Sequence, residues 1–310
     1  MIRTSENDPF LPLTGGIVAG ALVTRRVEQP KWSPPEGVDM TAVGAALMRA
    51  RHLLMDGEPK VFEDEFAIRL LGAPEEVVRG GMPGAPVPTG NNAITAAWVL
   101  RSRYTEDCLE AARERGVRQY VILGAGLDSF ALRAATTASD LTVFEVDAPR
   151  TQQWKRKRLT ELGLEFPKNL RLAPCNFETM SVEVALAGTE FRPREPAFLS
   201  WLGVTQYLTR DAIAATLQWA ARLAPGSELV LTFVPPSAEM IEVGRRISAA
   251  TGVNFATFFT ADQMATMLRT AGFAEAEHFS PERAQRTYFE GRSDGLSAPE
   301  VEQLMRARTT

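Results

Sequence analysis

The sequence predicts an open α/β domain with a mostly parallel sheet, preceded by a helical region. Three observations carry this. From Arg118 onward, short apolar runs alternate with helical stretches, the pattern of βαβ units. The first run ends on the turn Gly124-Ala125-Gly126 and the second on Asp147. Before Arg118 the apolar residues return with helical periodicity instead.

The elements follow in chain order. Residues 1–37 read as an extended arm, because 28–37 is too rich in proline for a helix. From Thr41 to about Met55, Val43, Ala46, Leu47, Ala50, Leu53 and Leu54 recur at three- and four-residue steps, which predicts a helix. A short helix fits Glu63–Leu71, and 72–92, rich in Gly and Pro, reads as a long loop. Ala93–Arg115 is helical and Gly116 ends it. Strands are predicted at Tyr120–Leu123, Leu141–Val146, Leu170–Ala173, Ala197–Trp201 and Leu229–Val234. Helices fill the gaps near 129–135, 149–162, 178–187 and 210–224, and two more fit Ala238–Ala250 and Ala261–Ala271. Two final strands, Phe273–Phe279 and Gln285–Glu290, are close enough to pair as a hairpin and supply an antiparallel edge strand. The expected organisation is an arm and helical cap over 1–117, then an α/β domain over 118–310 with a helical insertion near 235–260.

Composition narrows the function. The chain of 310 residues suits one large domain with additions or two small ones. A net charge of −4 argues against nucleic acid as a partner, and the run Lys155-Arg-Lys-Arg158 reads as a solvated helix face. Met1–Gly16 does not read as a signal peptide, and the apolar run Gly15–Val23 is too short to span a bilayer. No membrane partner is expected, and the cytoplasm is the default location. Cys108 and Cys175 read as buried apolar thiols, and two histidines, His52 and His278, are too few for a zinc or iron site. A monomer or homodimer is expected.

The chemistry concentrates after the first strand. In Val121-Ile-Leu-Gly-Ala-Gly-Leu-Asp-Ser129, glycines permit a tight turn and close approach of a ligand to the backbone. Asp128 and Ser129 then open a helix whose free N–H groups can meet a polar ligand group. Alone, this turn also fits a plain structural connection. The next strand, Val143-Phe-Glu-Val-Asp147, places Glu145 and Asp147 near its end. An acid there can accept hydrogen bonds from both ribose hydroxyls, although Asp147 also fits a helix N-cap before Pro149. The pair reads as an adenosine site. Ser129 stands where a dinucleotide motif would have its third glycine, and about 120 residues precede the first strand, so a methyl donor is favoured over a dinucleotide.

Three segments, Gln119–Arg133, Phe144–Pro149 and Phe198–Leu208, resemble the leucine carboxyl methyltransferase family, above all its bacterial branch of S-adenosylmethionine-dependent O-methyltransferases. The likeness runs from about Thr41 to Arg292. It implies a class I methyltransferase (Rossmann-like) sheet of seven strands, one antiparallel, with an N-terminal helical cap. It also implies S-adenosyl-L-methionine as the cofactor. By resemblance, Gly124, with Ala125, Gly126 and Asp128, lies against the donor, and Asp147 binds its ribose with Glu145 beside it. Arg101, or else Arg103, pairs with the donor carboxylate, and Arg49 matches an earlier basic residue facing the donor. Asn176, next to Phe177, stands where the family often has an Asp near the adenine, and an amide oxygen can accept the same bond. Leu202 stands where much of the family has a glutamate before the glycine matched by Gly203.

Methyl transfer from a sulfonium is an in-line displacement that needs positioning and solvent exclusion. A base is needed only for an acceptor that holds its proton at pH 7. Neither histidine belongs to a catalytic constellation, so the expected acceptor is a small-molecule carboxylate or other acidic hydroxyl. Tyr207, just past the fourth strand, is the candidate for orienting it. Phe255–Phe259, Trp201 and Trp98 read as core, with an apolar acceptor wall as the second reading. Two other functions stay open at this point: an NAD(P)-dependent oxidoreductase, and a catalytically silent binding protein of the same fold.

Overall fold

The computed structural model describes residues 32–33, 39–80 and 92–310, so the expected arm apart from 32–33, and 81–91 of the expected 72–92 loop, lie outside the described residues. Among the described residues, four helices come first: α1 (Met40–Met55), α2 (Glu65–Leu71), α3 (Glu75–Gly80) and α4 (Asn92–Glu114). Side-chain caps start the first two. Asp39 accepts from the Thr41 N–H and Asp64 from the Ala67 N–H, satisfying donors that a helix end leaves free. α3 was not expected. Its buried Val77 and Val78 pack with α1 and α2 in a small core that includes Leu47 and Trp154.

The α/β region then runs β1 (Gln119–Leu123), α5 (Phe130–Arg133), β2 (Thr142–Asp147), α6 (Pro149–Glu161), β3 (Leu170–Pro174), α7 (Val182–Ala187) and β4 (Ala197–Trp201). It continues with a short 3-10 turn (Thr205–Tyr207), α8 (Arg210–Ala221), β5 (Glu228–Phe233), α9 (Ala238–Thr251), α10 (Ala261–Ala271), β6 (Glu275–Phe279), α11 (Pro281–Ala284) and β7 (Gln303–Arg308). The sheet order is β3-β2-β1-β4-β5-β7-β6. β1 to β5 run parallel to one another, and β7 is antiparallel to both β5 and β6. β1, β4 and β5 are buried along their whole length, as expected for strands covered by helices on both faces.

The seventh strand is not where the sequence placed it. Gln285–Phe289 forms a π-helical turn that continues α11, which starts on Pro281 with a Ser280 cap. Phe289 is driven into the core, so a helical register suits this segment better than a flat edge strand. The strand is Gln303–Arg308 instead. Its charges Arg306 and Arg308 obscure the apolar pattern, but both reach the buried Glu228 on β5, Arg306 through Nε at 2.8 Å. The sheet thus has seven strands with one antiparallel, as the resemblance implied.

The order of strands reverses between β1 and β4, and open α/β sheets bind ligands at the carboxyl ends of strands beside such a switch. The opening helices cover that edge. Arg49 ties α1 to the sheet, and the Arg158 side chain of α6 donates to the carbonyls of Leu70 (3.0 Å) and Arg69 (2.8 Å) at the end of α2.

Candidate functional site

A cavity of about 600 Å³ opens at the switch point, within the roughly 300–1,000 Å³ typical of small-molecule sites. Gly124, Ala125, Gly126, Asp128, Asp147, Asn176, Phe177, Leu202, Arg49, Arg101 and Tyr207 all line it. Arg103 and Glu145 do not.

The glycine turn is built for close approach. Gly124 has φ +70°, and a Cβ there would fall 2.3 Å from Val204 Cγ2, just past the neighbouring strand β4. Its N–H donates to the Val146 carbonyl at 2.7 Å, which fastens β1's end to β2. Asp147 closes the turn: one carboxylate oxygen accepts from the Gly126 N–H and the other from the Ala148 N–H at 2.6 Å. Burial raises the Asp147 carboxyl above its ordinary range, and these two N–H groups oppose the shift. Asp128 accepts from the Phe130 N–H at 2.8 Å, one residue ahead of the Ser129 position that opens the short helix.

Beneath the turn lies a fully buried ion pair. Lys155 Nζ sits 2.6 Å from both oxygens of Glu145 and donates to the Asp128 carbonyl at 2.7 Å. Glu145 therefore supports the floor of the cavity from below, its carboxyl pushed up by burial against the pull of Lys155. The solvated-face reading of Lys155-Arg-Lys-Arg158 fails at Lys155. Thr151, Lys155 and Leu159 share the buried face of α6, and that face lies over a buried carboxylate.

Two arginines join the cap to the sheet. Arg49 donates from Nε to Asp64 and from Nη2 to the Leu127 carbonyl, each at 2.7 Å. Burial pushes the Asp64 carboxyl up, but Arg49 and Arg133 outweigh it and hold it below the ordinary value. Arg101 lies over Gly203, whose φ is +70° and whose missing Cβ would fall 2.5 Å from Arg101 Nη1. Nη1 donates to both oxygens of Glu302, at 3.0 and 2.9 Å. Glu302 also accepts from the Thr232 hydroxyl at 3.0 Å, and that hydroxyl accepts from the Gly203 N–H at 2.7 Å. Arg103 points away from the cavity to Asp107 at 3.0 Å. Glu302 escaped the sequence reading, because it precedes β7, a strand that reading did not place.

At the other end, Tyr207 packs edge-on against Phe255, with ring centroids 5.2 Å apart. Met240, Val243 and Ile247 of α9 extend this apolar wall, and Trp98 faces the cavity from α4. Trp201 and Phe259 are buried outside the cavity lining. Burial raises the Tyr207 hydroxyl above its ordinary range, so it stays protonated and can donate a hydrogen bond. Asn176 Oδ1 accepts from the Glu178 N–H at 3.1 Å, which turns its amide at the cavity rim, and Phe177 packs on Trp201.

Neither histidine lines the cavity. His52 is fully buried: Nε2 accepts from the Val61 N–H at 3.0 Å, so Nδ1 carries the proton toward Asp56 at 2.6 Å. Cys108 and Cys175 are both buried free thiols. Among the described residues, no group of His, Cys, Asp and Glu could hold a metal ion. No described helix is long and apolar enough to cross a membrane.

Comparison with known proteins agrees with this architecture. The sequence model of the leucine carboxyl methyltransferase family matches residues 42–221, more than half of the chain. YktD of Bacillus subtilis (strain 168), named as a candidate S-adenosyl-L-methionine-dependent methyltransferase, is 31% identical over 255 residues, 79% of this chain and 80% of its own. A Mycobacterium tuberculosis (strain ATCC 25618 / H37Rv) protein of like name is 30% identical over 232 residues, covering 74% of this chain and 75% of its own. Among solved structures, a candidate methyltransferase from Thermobifida fusca YX superposes over 93% of this chain and 99% of its own (TM-score 0.54, 16% identity). A duf574 family protein from Streptomyces avermitilis covers 85% of this chain and 97% of its own (TM-score 0.52, 14% identity). These two share the fold, and the family match sets aside the dinucleotide reading. The chain belongs to the leucine carboxyl methyltransferase family and is an S-adenosylmethionine-dependent methyltransferase.

Proposed function

We propose that the chain O-methylates a small molecule with an apolar body and an acidic oxygen: a carboxylate, an enol or an acidic phenol. The observation that carries this reading is the acceptor end of the cavity, where the protonated Tyr207 meets an aliphatic wall and no imidazole is present. A protonated phenol can donate a hydrogen bond to an ionised oxygen but cannot take its proton, so the acceptor arrives already acidic. The wall of Met240, Val243, Ile247 and Phe255 suits its apolar body.

The donor end suits an adenosyl ligand. When bound, the donor supplies a methyl group on an electron-poor sulfur. Asp147 would accept from ribose hydroxyls, and Asn176 and Phe177 line the same cavity. Gly124 lets the turn pack against Val204 at the cavity wall, and Arg101 offers a guanidinium to a carboxylate. Arg49 has the same charge, but Asp64 and Leu127 already hold it, so it shapes the lip of the cavity.

Calorimetry with S-adenosylhomocysteine on Asp147→Ala tests the donor end, where unchanged affinity would sink the ribose assignment. Mass spectrometry of products from a panel of apolar carboxylates, phenols and alcohols tests the acceptor. Methylation of aliphatic alcohols alone would refute the acidic-oxygen reading.

A further inference from the structure

The pair formed by Arg101 and Glu302 is only half used. Arg101 engages Glu302 through Nη1 alone, and among the described residues its Nε and Nη2 make no hydrogen bond. Glu302 Oε1 accepts from both Arg101 and Thr232, but Oε2 accepts from Arg101 only. Both side chains line the cavity and each is 10% exposed, so the unused donors and lone pairs border the same space. Both are also fixed. Thr232, itself held by the Gly203 N–H, anchors the carboxylate, and the guanidinium lies over Gly203 with the Trp98 ring 5.6 Å away.

A fixed cation and a fixed anion one hydrogen bond apart form a neutral site that favours a ligand with the complementary pair of charges. An α-amino acid is such a ligand, with its carboxylate and ammonium on one carbon. A lone anion there would meet the Glu302 charge, and a lone cation would meet Arg101. A zwitterion satisfies both, with charge-assisted hydrogen bonds to each.

We infer that Glu302 is a donor-binding residue: it accepts from the ammonium of the donor's amino-acid end, while Arg101 holds the carboxylate. This rests on the adenosyl-donor reading above and adds a residue, Glu302, and a charge rule to it. The rule is that the site selects for the ammonium as well as for the carboxylate.

The test is calorimetry on the full chain with three probes. S-adenosylhomocysteine carries both charged groups, decarboxylated S-adenosylmethionine carries the ammonium without the carboxylate, and methylthioadenosine carries neither. Glu302→Gln keeps the shape and removes the charge. It is expected to weaken the first two probes about tenfold each, the scale of one hydrogen bond to a charged group, and to leave methylthioadenosine unchanged. Arg101→Gln is expected to weaken S-adenosylhomocysteine far more than the decarboxylated probe. Tighter S-adenosylhomocysteine binding by Glu302→Gln would overturn the inference, because it would mean that Glu302 merely blocks Arg101. An equal shift of all three probes would overturn it too, as a structural effect. If the unmodified chain bound none of the three, the adenosyl-donor reading itself would fail.

Discussion

Replacing Gly124 by alanine tests how tightly the glycine turn is built. Two costs can be worked from the structure. Gly124 has φ +70°, a left-handed conformation that costs an L-residue roughly 1–2 kcal/mol. The new Cβ would also lie 2.3 Å from Val204 Cγ2, too close for real atoms, and such overpacking costs typically about 1–3 kcal/mol. Together, Gly124→Ala should lose about 2–5 kcal/mol. At about 2 °C per kcal/mol for a chain of this size, its melting temperature should fall by about 4–10 °C. Since Gly124 and Val204 both line the cavity, affinity for S-adenosylhomocysteine should fall as well. The pairing with Val204→Ala separates the two costs. Alone, Val204→Ala removes two methyls from a half-buried side chain, at about 1 kcal/mol. Combined with Gly124→Ala, it should recover the steric part, about 1–3 kcal/mol of coupling, and leave the backbone part. Thermal and urea unfolding of the four proteins gives the cycle. Additive losses would refute the account, because they would mean that the new side chain does not meet Val204.

Three further outcomes follow from the site. Asp64→Asn should cost about 3 kcal/mol at pH 7, since it leaves Arg49 buried without its partner. Because the Asp64 carboxyl is held below its ordinary value of 3.8, its contribution is present above that value and is lost as pH falls through the lower folded one. Melting curves from pH 7 to 3 should therefore drop more steeply below about pH 4 for the unmodified chain than for the variant, and parallel curves would contradict the assignment. Lys155→Met should cost about 3–5 kcal/mol by stranding Glu145, and adding Glu145→Gln should restore most of it, as read by denaturant unfolding. Phe255→Ala should raise the acceptor KM about tenfold by removing part of the apolar wall, with the donor Kd unchanged by calorimetry.

The parts of the site that were legible in the sequence are those whose signal is local. Gly124 and Gly126 sit beside their strand, and Asp147 ends the next one, so chain order alone brings them together once the sheet is parallel. Lys155 was misread because a charge within a basic run looks solvated. Its burial depends on Glu145, ten residues back on a neighbouring strand. Arg306 and Arg308 hid β7 in the same way, since Glu228, which draws them in, lies 78 residues from Arg306. Glu302 is 201 residues from Arg101, and no local pattern marks that contact. Arg101 and Arg103 were separable only in space: two positions apart on one helix they face different sides, one over Gly203 and one toward Asp107.

The late position of β7 bears on how the site comes into being. Among the described residues β6 pairs only with β7, and β7 is the strand that joins it to β5. A chain elongated from its N-terminus can therefore align β1 to β5 early, while β6, although already made, has nothing to pair with until the final strand slides in between. Glu302 immediately precedes that strand, so the same docking step that closes the sheet also brings the carboxylate to Arg101. Before it, the guanidinium over Gly203 has no counter-charge from Glu302. In that order of assembly the Arg101–Glu302 pair forms in the same event that completes the sheet, after the Arg49–Asp64 pair of the cap can already stand.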